Sequence, residues 1–312
     1  MNEYPRVNSN RGRLGWYLLL VAGGWIVANL LIAIVLLSSG GVGPDHASVN
    51  FSNPGTLPTL KFLQGISTVL TFLVPAYLYA YFVFGREPFD HLGFHKAAKN
   101  GFYFLAVLLL LLSMPFDGWL GELNKAIPLP GWMTHREKEA DQEIIAFLKT
   151  SSTAGTLVNV FLIAVLPAIC EEACFRGALQ PLLIRICKSP LAGIVLTGVL
   201  FSAFHMQFEG FLPRMFLGIL LGAVYWYSGS LWVSILAHFF TNAIQVVAVS
   251  YYPKFITEDP KVPLSGAMIS MVFVAVILVI FHLNSGRGAG NPGQDIGKPG
   301  KDGNKTYAEE IP

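Results

Sequence analysis

Six residues sit in or against long apolar runs, where an ionisable or strongly polar side chain is costly and usually marks a functional site. They are Glu171, Glu172, Arg176, His205, His238 and Asn242. In the segment Pro167-Ala168-Ile169-Cys170-Glu171-Glu172-Ala173-Cys174-Phe175-Arg176-Gly177, Glu172 and Arg176 are four residues apart. On a helix that spacing puts both on one face, where they can pair and neutralise each other. Glu171 is rotated by about 100° from that face and must meet something else. A buried carboxylate without a close cation can work as a proton acceptor or donor. His205 closes the run Phe201-Ser202-Ala203-Phe204-His205. His238 and Asn242 are again four apart, so both project from one face, and both carry hydrogen-bond donors.

Together these groups can hydrolyse an amide without a serine or cysteine nucleophile. Glu171 and His205 would polarise a water, and His238 and Asn242 would stabilise the oxyanion that its attack creates. The same Glu171, His205 and His238 would alternatively hold zinc, with water in the fourth position. No His-Glu-x-x-His spacing is present, so the metal reading rests on proximity alone and a metal-free site is expected. Structural readings stand beside these. Both glutamates would be at ease in a headgroup layer, and a single histidine on an apolar face is ordinarily a packing residue.

The elements that must position these residues are membrane helices. Of 312 residues, 53% are hydrophobic and only 13% charged, and the mean hydropathy is +0.54. A soluble domain carries about 25% charged residues, so this chain could not cover its surface in water. The expected fold is all-α, a polytopic membrane bundle of about eight helices, because only helices satisfy their own backbone in an apolar segment of this kind. Runs at 14–38, 60–84, 101–116, 154–171, 190–206, 211–228, 231–250 and 264–283 are the candidate spans. The first is too long for a signal-peptide core and reads as a span. Three spans and an extramembrane insertion occupy 1–153, the site-bearing helices 154–250, and a last span 251–284.

Lys and Arg set the orientation. Arg6, Arg11, Arg13, Arg86, Lys96, Lys99, Arg176, Arg185, Lys188, Arg287, Lys298, Lys301 and Lys305 fall on one side of an eight-span topology, which puts both termini in the cytoplasm. Lys125, Arg136, Lys138, Lys149, Lys254 and Lys261 oppose that assignment. Within the insertion 117–153, Ala140, Ile144, Phe147 and Leu148 follow helical spacing among charges, as in a helix lying on a membrane surface or packed on other loops. The polar tail 285–312 cannot bury a core and is expected to be disordered. Cys170, Cys174 and Cys187 are too few for a disulfide framework and read as small packing residues, although Cys170 and Cys174 could share a metal. A net charge of +2 gives no reason to expect a nucleic-acid partner.

Depth poses a problem. In alternating spans, Glu171 and His205 would approach opposite surfaces. They converge only if the fourth span runs on through Arg176 and the turn Gln207–Leu212 stops short of the far surface, lining a wet cavity with Gln207 and Glu209.

Glu-Glu-x-x-x-Arg (171, 172, 176), Phe-x-x-x-His (201, 205) and His-x-x-x-Asn (238, 242), in that order on successive helices, resemble the motifs of the CPBP family, the CAAX-prenyl protease and bacteriocin-processing membrane proteins. The resemblance covers about 154–250. It implies an eight-helix intramembrane glutamic endopeptidase, with Glu171 as the base aided by His205, His238 and Asn242 as the oxyanion hole, and Glu172 with Arg176 in support. The implied substrate is a peptide or membrane protein at the bilayer of the cell membrane, with no cofactor. Two other classes remain open: a non-catalytic bacteriocin-immunity or scaffold protein, and a proton-coupled transporter, since intramembrane Glu and His also build proton relays.

Overall fold

The computed structural model describes residues 9–42, 49, 55–85, 87–148, 150, 152–252 and 261–286, apart from the side chain of residue 143. All regular elements among them are helical, and the one extended pairing is an isolated bridge between Val42 and Val49. The helices are α1 (Asn10–Ser39), α2 (Thr56–Phe84), α3 (Gly101–Lys125), α4 (Gly131–Leu148), α5 (Thr153–Cys187), α6 (Pro190–Phe204), α7 (Phe211–Ser228), α8 (Leu231–Tyr251) and α9 (Leu264–Asn284), with a four-residue turn of helix at Pro88–His91. Seven of these are long and apolar enough to cross a membrane. The exceptions are α4, which is amphipathic, and α6, which is apolar but has only 15 residues.

Helix ends follow the local sequence. Ser9, Ser152 and Ser189 each accept a backbone N–H three residues on, capping α1, α5 and α6. Gly40 and Gly229 end α1 and α7 in left-handed conformations.

Three stretches are wound as π-helix: Val69–Leu73 in α2, and Phe161–Val165 and Ala173–Leu179 in α5. A proline follows each by two positions, at 75, 167 and 181. A proline ring collides with the carbonyl four residues back and offers it no N–H. Widening the preceding turn relieves that collision, which is why these prolines bend the helices without ending them. In α3 the repair is made from outside. Pro115 lies within the helix, and the Ser270 hydroxyl of α9 accepts from Phe116 N (3.3 Å) and donates to Leu112 O (2.6 Å), stitching the loosened ladder. The third span therefore continues to Lys125, and Asp117 lies inside it and not at its end.

Two apolar clusters organise the bundle. One joins Tyr17 of α1, Tyr79 of α2, Phe175 and Leu182 of α5, and Phe201 of α6. The other joins Phe102 and Leu109 of α3, Leu221 of α7, Val233 and Ala237 of α8, and Phe281 of α9. Helices α6 and α7 form a hairpin whose backbones nearly touch: a Cβ on Gly218 would lie 2.9 Å from Gly198 Cα. Small residues permit such approach between membrane helices. The candidate site lies where α5, α6, α7 and α8 meet, at the seam between the two clusters.

The fourth span differs from its expected limits in an informative way. It does not stop at residue 171 but continues to Cys187, so Glu171 falls near the midpoint of a helix about 52 Å long. Arg176 and Arg185, counted above among loop charges, are inside this helix, and Arg176 is fully buried. The tail beyond Gly286 lies outside the described residues.

Candidate active site

Glu172 and Arg176 form the expected pair, with Arg176 Nη1 2.8 Å from Glu172 Oε1 and both side chains removed from solvent. A second donor, unforeseen from the sequence, reaches the same oxygen: His238 Nδ1 is 2.9 Å from Glu172 Oε1. A carboxylate oxygen only accepts, so His238 donates through Nδ1. The other ring nitrogen, Nε2, stands 3.9 Å from Glu171 Oε2. That is beyond a direct hydrogen bond and within the span of one bridging water. His238 thus stands between the two glutamates, and Glu171, 8% exposed, is the freer of them.

Arg176 is fixed from three sides. It pairs with Glu172, donates to Gly218 O at 3.0 Å, and lies over the Phe201 ring at 4.6 Å from its centroid. Phe201 is the hub of the site. His205 meets its edge at 5.0 Å between centroids, His238 at 5.9 Å and Phe175 at 5.1 Å. The aromatic of the Phe-x-x-x-His motif therefore spaces both imidazoles about one cation.

His205 caps α6. Its Nδ1 is 2.8 Å from Phe201 O, and a carbonyl only accepts, so Nδ1 carries hydrogen and the neutral ring leaves Nε2 a lone pair. The turn that follows is held from above. Glu137 of α4 accepts from the N–H groups of Phe208 and Glu209, and Asn124 of α3 donates to Phe208 O (2.7 Å) and accepts from Leu212 N (2.7 Å). Trp132 of α4 packs edge-on against Phe208 at 5.4 Å. The amphipathic insertion is thus tied to the loop that carries His205. That loop closes after only 15 residues of α6, about 22 Å of rise, so it stops short of a full crossing.

Asn242 sits one turn beyond His238 and is half-buried. Its Nδ2 donates to Ile163 O at 3.3 Å. Ile163 is four residues before Pro167, so its carbonyl is the one that the proline leaves without an α-helical partner. One amide proton of Asn242 is therefore engaged in repairing α5.

Among the described residues, no group of three or more His, Cys, Asp or Glu is gathered closely enough to hold a metal ion, the set Glu171, His205 and His238 included. Cys170 and Cys174 are buried free thiols, and Tyr17 OH meets both the carbonyl and Sγ of Cys174 at 2.8 Å. Sequence reasoning passed over Arg214 of α7, whose guanidinium donates to Gln207 O (3.2 Å) and Gln207 Oε1 (2.7 Å). The signal was present, since Arg214 is a charge inside an apolar span.

Seven helices long and apolar enough to cross a membrane, with two carboxylates buried near the middle of one of them, mark a multi-pass membrane protein. Residues 153–244, which hold every candidate site residue, match the family described as Type II CAAX prenyl endopeptidase Rce1-like. The segment is similar to a CAAX-type protease domain of the CPBP family, and helices outside it complete the bundle. No curated protein and no solved structure matches the chain.

Proposed function

We propose that the protein is an intramembrane glutamic endopeptidase that hydrolyses a peptide bond of a membrane-associated substrate, with Glu171 as the base. The observation that carries this reading is the asymmetry of the two glutamates. Glu172 is committed to Arg176 and His238 through one oxygen, whereas Glu171 makes no direct hydrogen bond among the described residues and stands 3.9 Å from His238 Nε2. A water held by Glu171 and by the His205 Nε2 lone pair loses a proton to the carboxylate as its oxygen attacks the substrate carbonyl. His238 and the remaining amide proton of Asn242 supply donors toward the carbonyl oxygen. For Nε2 of His238 to donate while Nδ1 donates to Glu172, the ring must be an imidazolium. Its charge then balances the second carboxylate of the Glu171–Glu172–Arg176 cluster. Metal independence belongs to the same proposal.

The test is substrate trapping. Glu171→Gln keeps shape and hydrogen bonding but removes the base, so it should retain membrane-protein or peptide substrates that the wild type releases as products. Proteomics that finds no species enriched on the variant, together with unchanged processing in cells carrying it, would favour a non-catalytic scaffold.

A further inference from the structure

A groove of about 620 Å³ runs between the first turns of α2 and α5. Sites for small molecules usually measure ~300–1,000 Å³. Leu57 and Phe62 of α2 and Leu157, Val158 and Phe161 of α5 make its walls apolar, and Lys61 is its only ionisable lining residue. Phe62, Leu157 and Phe161 are each more than half exposed. Both helices are long and apolar enough to cross a membrane, so hydrocarbon is what meets this surface. Lys61 is held in place. Its ammonium donates to Asn159 Oδ1 at 2.7 Å, and Asn159, only 1% exposed, donates in turn to Leu148 O at 3.3 Å, at the end of α4. One of the three ammonium N–H groups is thereby used. Among the described residues, no carboxylate forms an ion pair with it. Both walls begin at this end of the bundle, so the positive ends of two helix dipoles add to its charge. The groove does not lead to the candidate active site. Helices α2 and α5 close on each other at Gly65, where a Cβ would lie 3.1 Å from Leu162 Cδ2 and 3.5 Å from Leu166 Cδ2. Glu171 is nine residues beyond Leu162, about 13 Å of helix.

We infer that this groove is a phospholipid site, with an acyl chain between α2 and α5 and the headgroup phosphate on Lys61. Each half of the groove matches one part of that ligand. Apolar walls open to hydrocarbon suit an alkyl chain, and an ammonium near the start of a span suits a phosphate at the interface. Lys61 is the sixth residue of α2, about 7–8 Å along it, so its stem can carry the charge up to the headgroup layer. A free anion would use the lysine alone, and a plain hydrocarbon the walls alone. Headgroups of net negative charge are favoured, because a zwitterionic head brings a cation that competes with Lys61. Asn159 ties the site to the last turn of α4, so an occupied groove braces the insertion that grips the His205 turn. The inference does not depend on whether the protein cleaves peptides.

The experiment uses the full chain, stripped of co-purified lipid in detergent, with dioleoyl phosphatidylglycerol and dioleoyl phosphatidylcholine as probes. Native mass spectrometry counts bound lipid and gives the affinity of the first to bind, and melting is followed in parallel. The wild type should bind its first phosphatidylglycerol about fivefold more tightly than phosphatidylcholine, the scale of one lysine near a charged membrane surface. Its melting temperature should rise more with the anionic lipid. Lys61→Gln should bind the two lipids equally, and Lys61→Arg should keep the preference. Val158→Trp fills the groove without removing either partner of the Lys61–Asn159 bond, and should abolish the tight first site for both lipids. Inorganic phosphate should displace neither. The inference is overturned if the wild type shows no preference, if Lys61→Gln retains it, or if Val158→Trp binds as the wild type does, which would leave only a general lipid annulus. Displacement by inorganic phosphate would overturn it too, making Lys61 a simple anion site. Should Lys61→Gln melt far below the wild type, the Lys61→Arg and Val158→Trp results decide the matter.

Discussion

His238 and Glu172 meet at 2.9 Å through Nδ1 and Oε1, on the same oxygen that Arg176 occupies at 2.8 Å. That single carboxylate oxygen fixes the helix bearing Arg176 and orients the imidazole whose other edge faces Glu171. Glu172 therefore holds two partners at once, and the proposed role of Glu171 as the base leaves the holding to its neighbour.

The first prediction separates them. Glu171→Gln should leave a folded membrane protein whose activity is lower by roughly 10² or more, the usual scale of general-base loss. Glu172→Gln strands a fully buried guanidinium and frees His238 to turn. Removing one partner of a buried pair costs about 3–5 kcal/mol, so yield and melting temperature should fall. Replacing Glu172 and Arg176 together with neutral residues should recover part of the stability. Melting in detergent and cleavage per folded molecule, measured on each variant, decide the matter. A stable but inert Glu172→Gln beside a normal Glu171→Gln would reverse the roles.

The second concerns Asn242. If its amide mainly repairs the carbonyl that Pro167 orphans, Asn242→Leu should cost about 1–2 kcal/mol by leaving a buried acceptor unpaired. In a Pro167→Ala background, residue 167 regains an N–H for Ile163 O, and the same substitution should then cost clearly less. A double-mutant cycle on melting and on kcat separates repair from catalysis. Coupling in stability with none in kcat assigns Asn242 to the helix; a kcat loss untouched by the proline change assigns it to the reaction.

The third tests the grip of α4. Glu137→Ala removes the acceptor for two backbone amides in the turn after His205. Hydrogen exchange at Phe208 and Glu209 should accelerate by tenfold or more, on the order of one lost charge-assisted hydrogen bond, and activity should fall with it. Glu137→Gln, which keeps one acceptor oxygen, should lie between. Unchanged exchange in Glu137→Ala would show that Asn124 and Trp132 hold the turn unaided.

The fourth addresses metal. Activity is expected to survive chelators, and purified protein to hold no stoichiometric zinc. Elemental analysis that finds one zinc per chain, lost in His205→Ala, would replace the glutamic mechanism with a metal one.

The fifth concerns topology. Reporters or accessible cysteines placed at Gly43 and Asn304 should fall on opposite sides of the membrane, with Asn304 cytoplasmic. Both sites on one side would break the eight-pass arrangement, in which the short α6 counts as a pass.

The local part of this site was legible in the sequence because it is helical arithmetic. The Glu172–Arg176 pair follows from four-residue spacing and appears at 2.8 Å. The expectation that α5 runs on past Arg176 is met, since the helix continues to Cys187, and α6, which His205 caps, has only 15 residues. What escaped was tertiary. No spacing rule brings His238 of α8 onto Glu172 of α5, or makes Phe201 the common neighbour of Arg176 and two histidines. The three prolines did carry a readable signal, because each identifies the carbonyl four residues back that must find another donor. About eight spans were expected, and the described residues hold seven helices long and apolar enough to cross a membrane and the shorter apolar α6, since apolar character shows which helices are lipid-compatible but not how far each one reaches.

The shortness of α6 has a consequence for the solvent. A hydrocarbon layer of about 30 Å exceeds the roughly 22 Å that 15 residues can span. The shortfall must be made up by a dimple in the lipid or by an inlet of water reaching down to the His205 turn. Hydrolysis consumes water as a reactant, and a full-length helix in this place would seal the carboxylates in oil. On the proposed hydrolytic reading, the missing turn and a half of helix would be the inlet for the co-substrate, and lengthening α6 would be expected to starve the reaction without touching any group that performs it.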